Sequence, residues 1–242
     1  MSLSPTAGSK PDDAHPDARA SEIPGRFIEI YRLLLTFFGP QRWWPADSPF
    51  EVAIGAILTQ NTNWRNVQRA IDNLRAADAL TVRGISRLTE NQLARLILPS
   101  GFYAVKASRL KNYLSYILDD YGGDFFDSLS GNLTDKRSEL LSVSGIGPET
   151  ADSILLYAGG HPTFVVDTYT KRVMFRHALA PADAGYEKVR SLFMENLPAD
   201  ASLFNEFHAL LVAVGKQFCR PKEPRCAGCP LAILYDGGPV CV

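Results

Sequence analysis

The chain has 242 residues, 46% of them hydrophobic, enough for one large domain or two small ones with an ordinary core. Its formal net charge of −1 excludes a bulk basic field, so any nucleic-acid contact must come from local clusters and backbone donors. No apolar run approaches the roughly 20 residues that cross a membrane, and the N-terminal stretch has no hydrophobic signal segment, so a cytoplasmic protein without membrane contact is expected.

Residues 1–22 are rich in Pro, Ala, Ser and Asp and nearly devoid of apolar side chains, which predicts a disordered tail. Arg26–Phe38 carries Phe27, Ile30, Tyr31, Leu34 and Phe38 at helical spacing and stops at Gly39-Pro40. Trp43-Trp44-Pro45 follows. Adjacent tryptophans in a proline-bounded loop are costly to expose, so they either cap a core or line a pocket. Ser48-Pro49-Phe50-Glu51 reads as a capping box opening an apolar helix over Phe50–Leu58. The polar cluster Thr59-Gln60-Asn61-Thr62 separates it from a second helix with Trp64, Val67, Ile71 and Leu74 on one face. Amphipathic helices are expected at Asn91–Leu98 and Val105–Asp120, and Lys106, Arg109 and Lys111 form a basic stripe on the latter, either solvated or phosphate-facing. Phe125–Leu129 and Asp135–Leu141 lead into the central segment, and helices at Thr168–His177, Tyr186–Leu197 and Ser202–Gly215 follow it. No alternating strand pattern of any length occurs, so the fold class is all-α.

The central segment is Leu140–Lys171. Gly145-Ile146-Gly147 cannot continue a helix, and Pro148 at a first helical position starts a new one. Such a turn either joins two packed helices or presents N–H groups and a positive dipole end to a phosphate. Asp167, in Val-Val-Asp-Thr, stands where a helix N-cap belongs, and it is either a cap or a catalytic carboxylate. All four cysteines fall near the C-terminus, as Cys219, Cys226, Cys229 and Cys241 in a C-x6-C-x2-C-x11-C array. In a chain without a secretory signal this favours a metal centre, and four thiolates bind either zinc or an iron–sulfur cluster.

The combination of hairpin, about twenty residues and an Asp at a helix start resembles the helix-hairpin-helix DNA glycosylase superfamily of endonuclease III. Its signature runs L-P-G-V-G-x-x-T-A and then V-D-T-x-x-x-R-V; here residues 143–151 read VSGIGPETA and residues 166–173 read VDTYTKRV. The segments WWP, SPFEVAIGAILTQNTNW and LILPSGFYAVKASRLK resemble the bacterial 3-methyladenine DNA glycosylase III branch of that superfamily.

The resemblance implies two helical domains with the active cleft between them. One, residues 46–160, is a six-helix domain bearing the hairpin. The other is discontinuous, residues 23–45 and 161–242, and carries the cysteine loop. It further implies that Gly145, Ile146 and Gly147 hold DNA phosphates, that Gln60 fills the gap left by an extruded nucleotide, and that Asp167 stabilises the sugar cation and orients or deprotonates water. Trp43, Trp44 and Trp64 would form an aromatic site suited to an N-alkylated, cationic purine such as 3-methyladenine, with cation–π attraction of about 2 kcal/mol when desolvated. The C-x6-C-x2-C spacing matches the ligand run of a [4Fe-4S] cluster, with zinc as the alternative, although the interval to Cys241 is longer than the family's. Lyase-type relatives carry a lysine where this chain has Glu149, and a carboxylate cannot form an imine. The expected activity is therefore a monofunctional DNA N-glycosylase without abasic-site lyase activity, a nucleoid-associated monomer acting on double-stranded DNA with a damaged base. Rival readings are the same fold acting on a deaminated, mismatched or oxidised base, and a non-catalytic metal-stapled DNA-binding module. Lys216 lies just before the cysteines and receives no role.

Overall fold

The computed structural model describes residues 16–234, with side chains from Gly25 onward; Cys241 lies outside the described residues. Eleven α-helices and no strand occur among them: α1 (Pro16–Phe38), α2 (Pro49–Leu58), α3 (Trp64–Ala76), α4 (Val82–Arg87), α5 (Glu90–Leu96), α6 (Tyr103–Tyr121), α7 (Leu133–Ser142), α8 (Pro148–Ser153), α9 (Thr168–Arg176), α10 (Tyr186–Asn196) and α11 (Ala201–Gln217). The fold is all-α, and no described helix is long and apolar enough to cross a membrane.

Two boundaries depart from the sequence reading. α1 begins at Pro16, so residues 16–22 are helical rather than part of a tail. Low apolar content predicts little burial, but Ala, Arg and Glu are good helix formers and proline is tolerated at a first position. The short helix α4, capped by Thr81 Oγ1 accepting from the Gly84 N–H at 2.9 Å, is too brief for periodicity to mark, and the stretch 46–160 holds seven α-helices instead of six. The capping box expected at Ser48 is half formed. Ser48 Oγ accepts from the Glu51 N–H at 3.2 Å, but the Glu51 carboxylate turns to Arg75 at 2.8 Å. A complete box stands instead at Thr89 and Gln92, opening α5.

Buried apolar side chains gather into two clusters. The first contains Ile54, Ile57, Val67, Ile71, Leu110, Tyr113, Ile146 and Ile154, from α2 to α8. The second joins Phe27, Ile30 and Leu34 of α1 to Phe164, Phe193, Phe207 and Leu210 of the C-terminal half. The clusters divide between Leu155 and Leu156, inside a π-helical turn, Ile154–Ala158, that continues α8.

The basic stripe on α6 does not survive as a stripe. Lys106 is 1% exposed and its ammonium donates to the carbonyls of Leu58 (2.8 Å) and Ser100 (2.6 Å), closing the end of α2. Lys111 donates to Ile85 and Ser86, closing the end of α4. Unpaired carbonyls at helix ends drew both side chains inward. Arg109 alone of the three faces the hairpin.

Candidate active site

A cleft of about 1100 Å³ is lined by residues from both clusters, among them Trp43, Trp44, Gln60, Trp64, Gly145, Ile146, Gly147 and Asp167. The sequence-predicted base, wedge, anchor and carboxylate residues thus share one space. The three described cysteines do not, and they line a separate cavity.

The hairpin is shaped by one obligatory glycine. Gly145 has φ +95°, and a Cβ there would stand 2.3 Å from Arg109 Cγ, so this turn excludes any side chain. Ile146 is 5% exposed, and its N–H donates to the Val143 carbonyl at 3.0 Å, so its side chain anchors the turn in the first cluster. Gln60 is tied to this turn. Its amide nitrogen donates to the Gly145 carbonyl (3.2 Å) and the Thr150 hydroxyl (2.9 Å), and its oxygen accepts from the Arg109 guanidinium.

The three tryptophans are half-buried and packed edge to face. Trp43 and Trp44 have ring centroids 5.7 Å apart at 64°, and Trp44 meets Trp64 at 5.2 Å and 87°. Trp44 settles on α2 over Gly55, where a Cβ would stand in ordinary contact 3.5 Å from the ring. Trp43 and Trp44 touch each other edge to face and leave no gap for a base between them. Both indole N–H groups are buried with no hydrogen-bond partner, which is a cost that a bound polar group would remove. Lys216, exposed at the mouth, holds its ammonium 5.9 Å from the Trp43 ring and 6.0 Å from the Tyr169 ring.

Asp167 does cap α9: Oδ1 accepts from the Thr170 N–H at 2.7 Å. Its other oxygen is 3.6 Å from His208 Nε2. Burial alone would raise this carboxyl, but the His208 ring and the Thr170 donors outweigh it and hold the group below the usual carboxylate range. Burial, then the charge of Asp167, pushes Glu149 up, opposed by His208 and Lys171. Two carboxyls in one cleft are thus driven apart, one ionised and one more easily protonated.

Sequence reasoning missed His208 and Tyr157. A lone histidine among Ala, Leu and Val on α11 reads as a core residue. Yet His208, Val212 and Lys216 all line the cleft at four-residue spacing, and that stripe was the available signal.

Asp152 forms a second polar centre behind the hairpin helix. It is 0% exposed, accepts from Arg137 Nε (2.9 Å) and Nη2 (3.0 Å), from the Thr163 hydroxyl (2.7 Å) and from the Tyr186 hydroxyl (2.8 Å), and lies 3.5 Å from Arg190. It binds α7 and α8 to α10 and to the irregular segment that ends at Asp167.

Cys219, Cys226 and Cys229 line one small apolar cavity below the end of α11. Among the described residues no three His, Cys, Asp or Glu side chains are gathered closely enough to hold a metal ion. The donor chemistry nevertheless suits a thiolate centre: Arg176 Nη1 lies 3.4 Å from Cys219 Sγ, a cationic donor placed at a sulfur. Arg172 and Arg176 of α9 also donate to the carbonyls of Cys219 (2.5 Å) and Arg220 (2.6 Å), lashing the cysteine loop to the helix that Asp167 begins.

Residues 54–199 match the family model described as HhH-GPD superfamily base excision DNA repair protein. The chain is 47% identical over 208 residues to the "Putative DNA repair glycosylase MJ1434" of Methanocaldococcus jannaschii, covering 84% of this chain and 92% of that one. It is 28% identical to endonuclease III of Bacillus subtilis, over 79% of this chain and 83% of the relative. Among solved structures it is similar to the 3-methyladenine DNA glycosylase MagIII of H. pylori bound to 1,N6-ethenoadenine, at 29% identity and a TM-score of 0.68, covering 81% of this chain and 97% of that one. An endonuclease III–DNA covalent intermediate shares the fold, with a TM-score of 0.76 at 22% identity over 87% of this chain and 94% of that one. With the family model spanning more than half the chain, this protein belongs to the HhH-GPD superfamily and is a base-excision DNA glycosylase.

Proposed function

We propose that the protein is a monofunctional glycosylase that removes N-alkylated purines, 3-methyladenine foremost, from double-stranded DNA. The observation that carries this reading is the ionised, half-buried Asp167 sharing one cleft with a cluster of three tryptophans. An extruded base would stack on the aromatic cluster, where a purine made cationic by alkylation gains most. Weakening of the glycosidic bond places positive charge on the sugar, and Asp167 stabilises it. Its lowered pKa suits that electrostatic role better than proton abstraction, so water is oriented more than deprotonated. Gly145, Ile146 and Gly147 would present the turn and the start of α8 to a phosphate. Gln60 would leave its hairpin partners to occupy the stack.

We further propose that the two apolar clusters are the cores of two domains, residues 46–160 and residues 23–45 with 161–242, and that the protein works as a monomer on the chromosome. The MagIII and endonuclease III structures with a bound lesion base or DNA support the DNA partner. The cysteines would hold a [4Fe-4S] cluster, or zinc, that stiffens the loop carrying Arg220, Lys222 and Arg225. When bound, the centre supplies structure, and bond cleavage rests on the cleft residues. Glu149 in the hairpin helix supports hydrolysis without lyase action. Lys216 favours a second reading in which the base is uncharged, because its ammonium already stands over Trp43.

Duplexes carrying 3-methyladenine, a deaminated base or an oxidised base, offered separately, decide between these readings. Fastest release of the alkylated purine, with no borohydride-trapped adduct and no strand nick, is expected. Preference for an uncharged lesion, or a trapped adduct, would overturn the substrate or the monofunctional part.

A further inference from the structure

Tyr157, His208 and Asp167 form a continuous polar run through three elements: the π-helical turn after α8, the middle of α11 and the cap of α9. His208 is 6% exposed. Its Nδ1 is 2.5 Å from the Tyr157 hydroxyl, and its Nε2 is 3.6 Å from Asp167 Oδ2. The two carboxylate oxygens have separate tasks. Oδ1 is committed to the Thr170 N–H, and Oδ2 faces the ring. Burial, followed by the charges of Asp167 and Glu149, keeps the proton on Tyr157. A hydroxyl that keeps its proton pairs with Nδ1, and the ring hydrogen on Nε2 then points toward the carboxylate; the hydrogen placement is assigned from this network.

Nε2 is buried without a hydrogen-bond partner, and 3.6 Å is longer than a formed bond. Catalytic hydrogen bonds are often long before substrate binds and tighten in the reacting complex. The run starts on the wall of the cleft, since Tyr157 packs against Trp44 at 5.3 Å. A base seated on Trp44 and the carboxylate beside the sugar are therefore joined by two side chains.

We propose that His208, fixed by Tyr157, is the positioning residue that aims the Asp167 carboxylate into the cleft. The inference rests on the reading of Asp167 as the carboxylate that acts on the sugar. The ring also supplies the main influence opposing burial at Asp167, so its loss leaves burial to win and the carboxyl titrates higher. The other titratable and charged groups around this carboxylate or in its cleft are Glu149 from α8, Tyr169 and Lys171 on α9, Tyr157 from the π turn, Tyr186 from α10, Lys216 from α11 and Arg109 from α6.

The test uses the full chain as wild type, His208→Phe, His208→Gln, Tyr157→Phe and Asp167→Asn, each checked for folding by thermal melting. The Asp167 side-chain carbon is titrated by NMR, and single-turnover release from methylated duplex is measured against pH. In His208→Phe the Asp167 titration and the acid limb of the rate profile move up by about one pH unit, and the maximal rate falls about tenfold or more with duplex affinity kept. His208→Gln, which retains an N–H donor, recovers part of both, and Tyr157→Phe shifts them in the same direction by less. An unmoved Asp167 titration in both His208 variants overturns the proposal whatever the substrate proves to be. A rate that falls without movement of the acid limb also overturns it and leaves His208 a packing residue. Base release surviving in Asp167→Asn would instead sink the reading of Asp167 itself, and the NMR titration would still judge the His208 contact.

Discussion

Removal of the Asp152 carboxylate tests how the hairpin helix is joined to the C-terminal half. Asp152→Ala deletes two ion pairs and four accepted hydrogen bonds at a side chain with no exposure, leaving Arg137 and Arg190, each 15% exposed, without their shared anion. Breaking one partner of a buried pair costs about 3–5 kcal/mol. Arg137 retains Glu187 at 2.6 Å, but that carboxylate is 57% exposed and screened, so the lower end applies, about 3 kcal/mol. For a chain of this size each kcal/mol moves Tm by roughly 2–4 °C, so the melt falls by about 6–12 °C. Differential scanning calorimetry and urea unfolding measure it, together with Arg137→Met and the double variant. The double variant should be less destabilised than the sum of the singles, because the second deletion removes a charge that the first left unpaired. A cost below about 1 kcal/mol for Asp152→Ala, or strict additivity, would refute the view that this network couples the two halves.

Gly145→Ala forces a non-glycine residue to φ +95° and into Arg109, so the turn or Arg109 must move. Strain of about 1–2 kcal/mol should lower the melt, and duplex affinity should fall further than Gly147→Ala lowers it, since Gly147 has no atom near its missing Cβ. Lys106 loses its proton at about pH 8 in the fold, lowered first by burial and then by Arg109, against 10.5 for a free lysine side chain. Between those values the unfolded chain holds more protons, so stability rises with pH across that window, and Lys106→Met should flatten the rise in urea titrations. The anaerobically purified protein should contain iron and acid-labile sulfide in near-equal amounts. Zinc without sulfide would replace the cluster by the simpler centre, and Cys229→Ser should lower metal content in either case.

Much of the fold was legible because long helices write their period into the sequence. α1, α3, α6 and α11 each place their apolar residues on one face, and the hairpin announces itself by glycine and proline at fixed places. α4 escaped because six residues hold too few turns to show a period. The basic stripe on α6 misled because a charge count does not reveal which helix ends lie nearby: Lys106 and Lys111 close carbonyls on α2 and α4. The site was legible wherever local geometry demanded one residue type, as at Gly145 and at Asp167 as a cap. It was illegible where function depends on side chains met across the fold. His208 approaches Asp167 from 41 positions along the chain, and nothing local to either distinguishes it from a core histidine.

The role of Asp167 is tested by comparing the wild type with Asp167→Asn on methylated duplex DNA, resolving freed bases by chromatography and measuring duplex affinity alongside. A catalytic role for Asp167 predicts 3-methyladenine released by the wild type alone, with affinity kept in the variant. Release by Asp167→Asn at the wild-type rate, or no release by a wild type that binds the duplex, would contradict it.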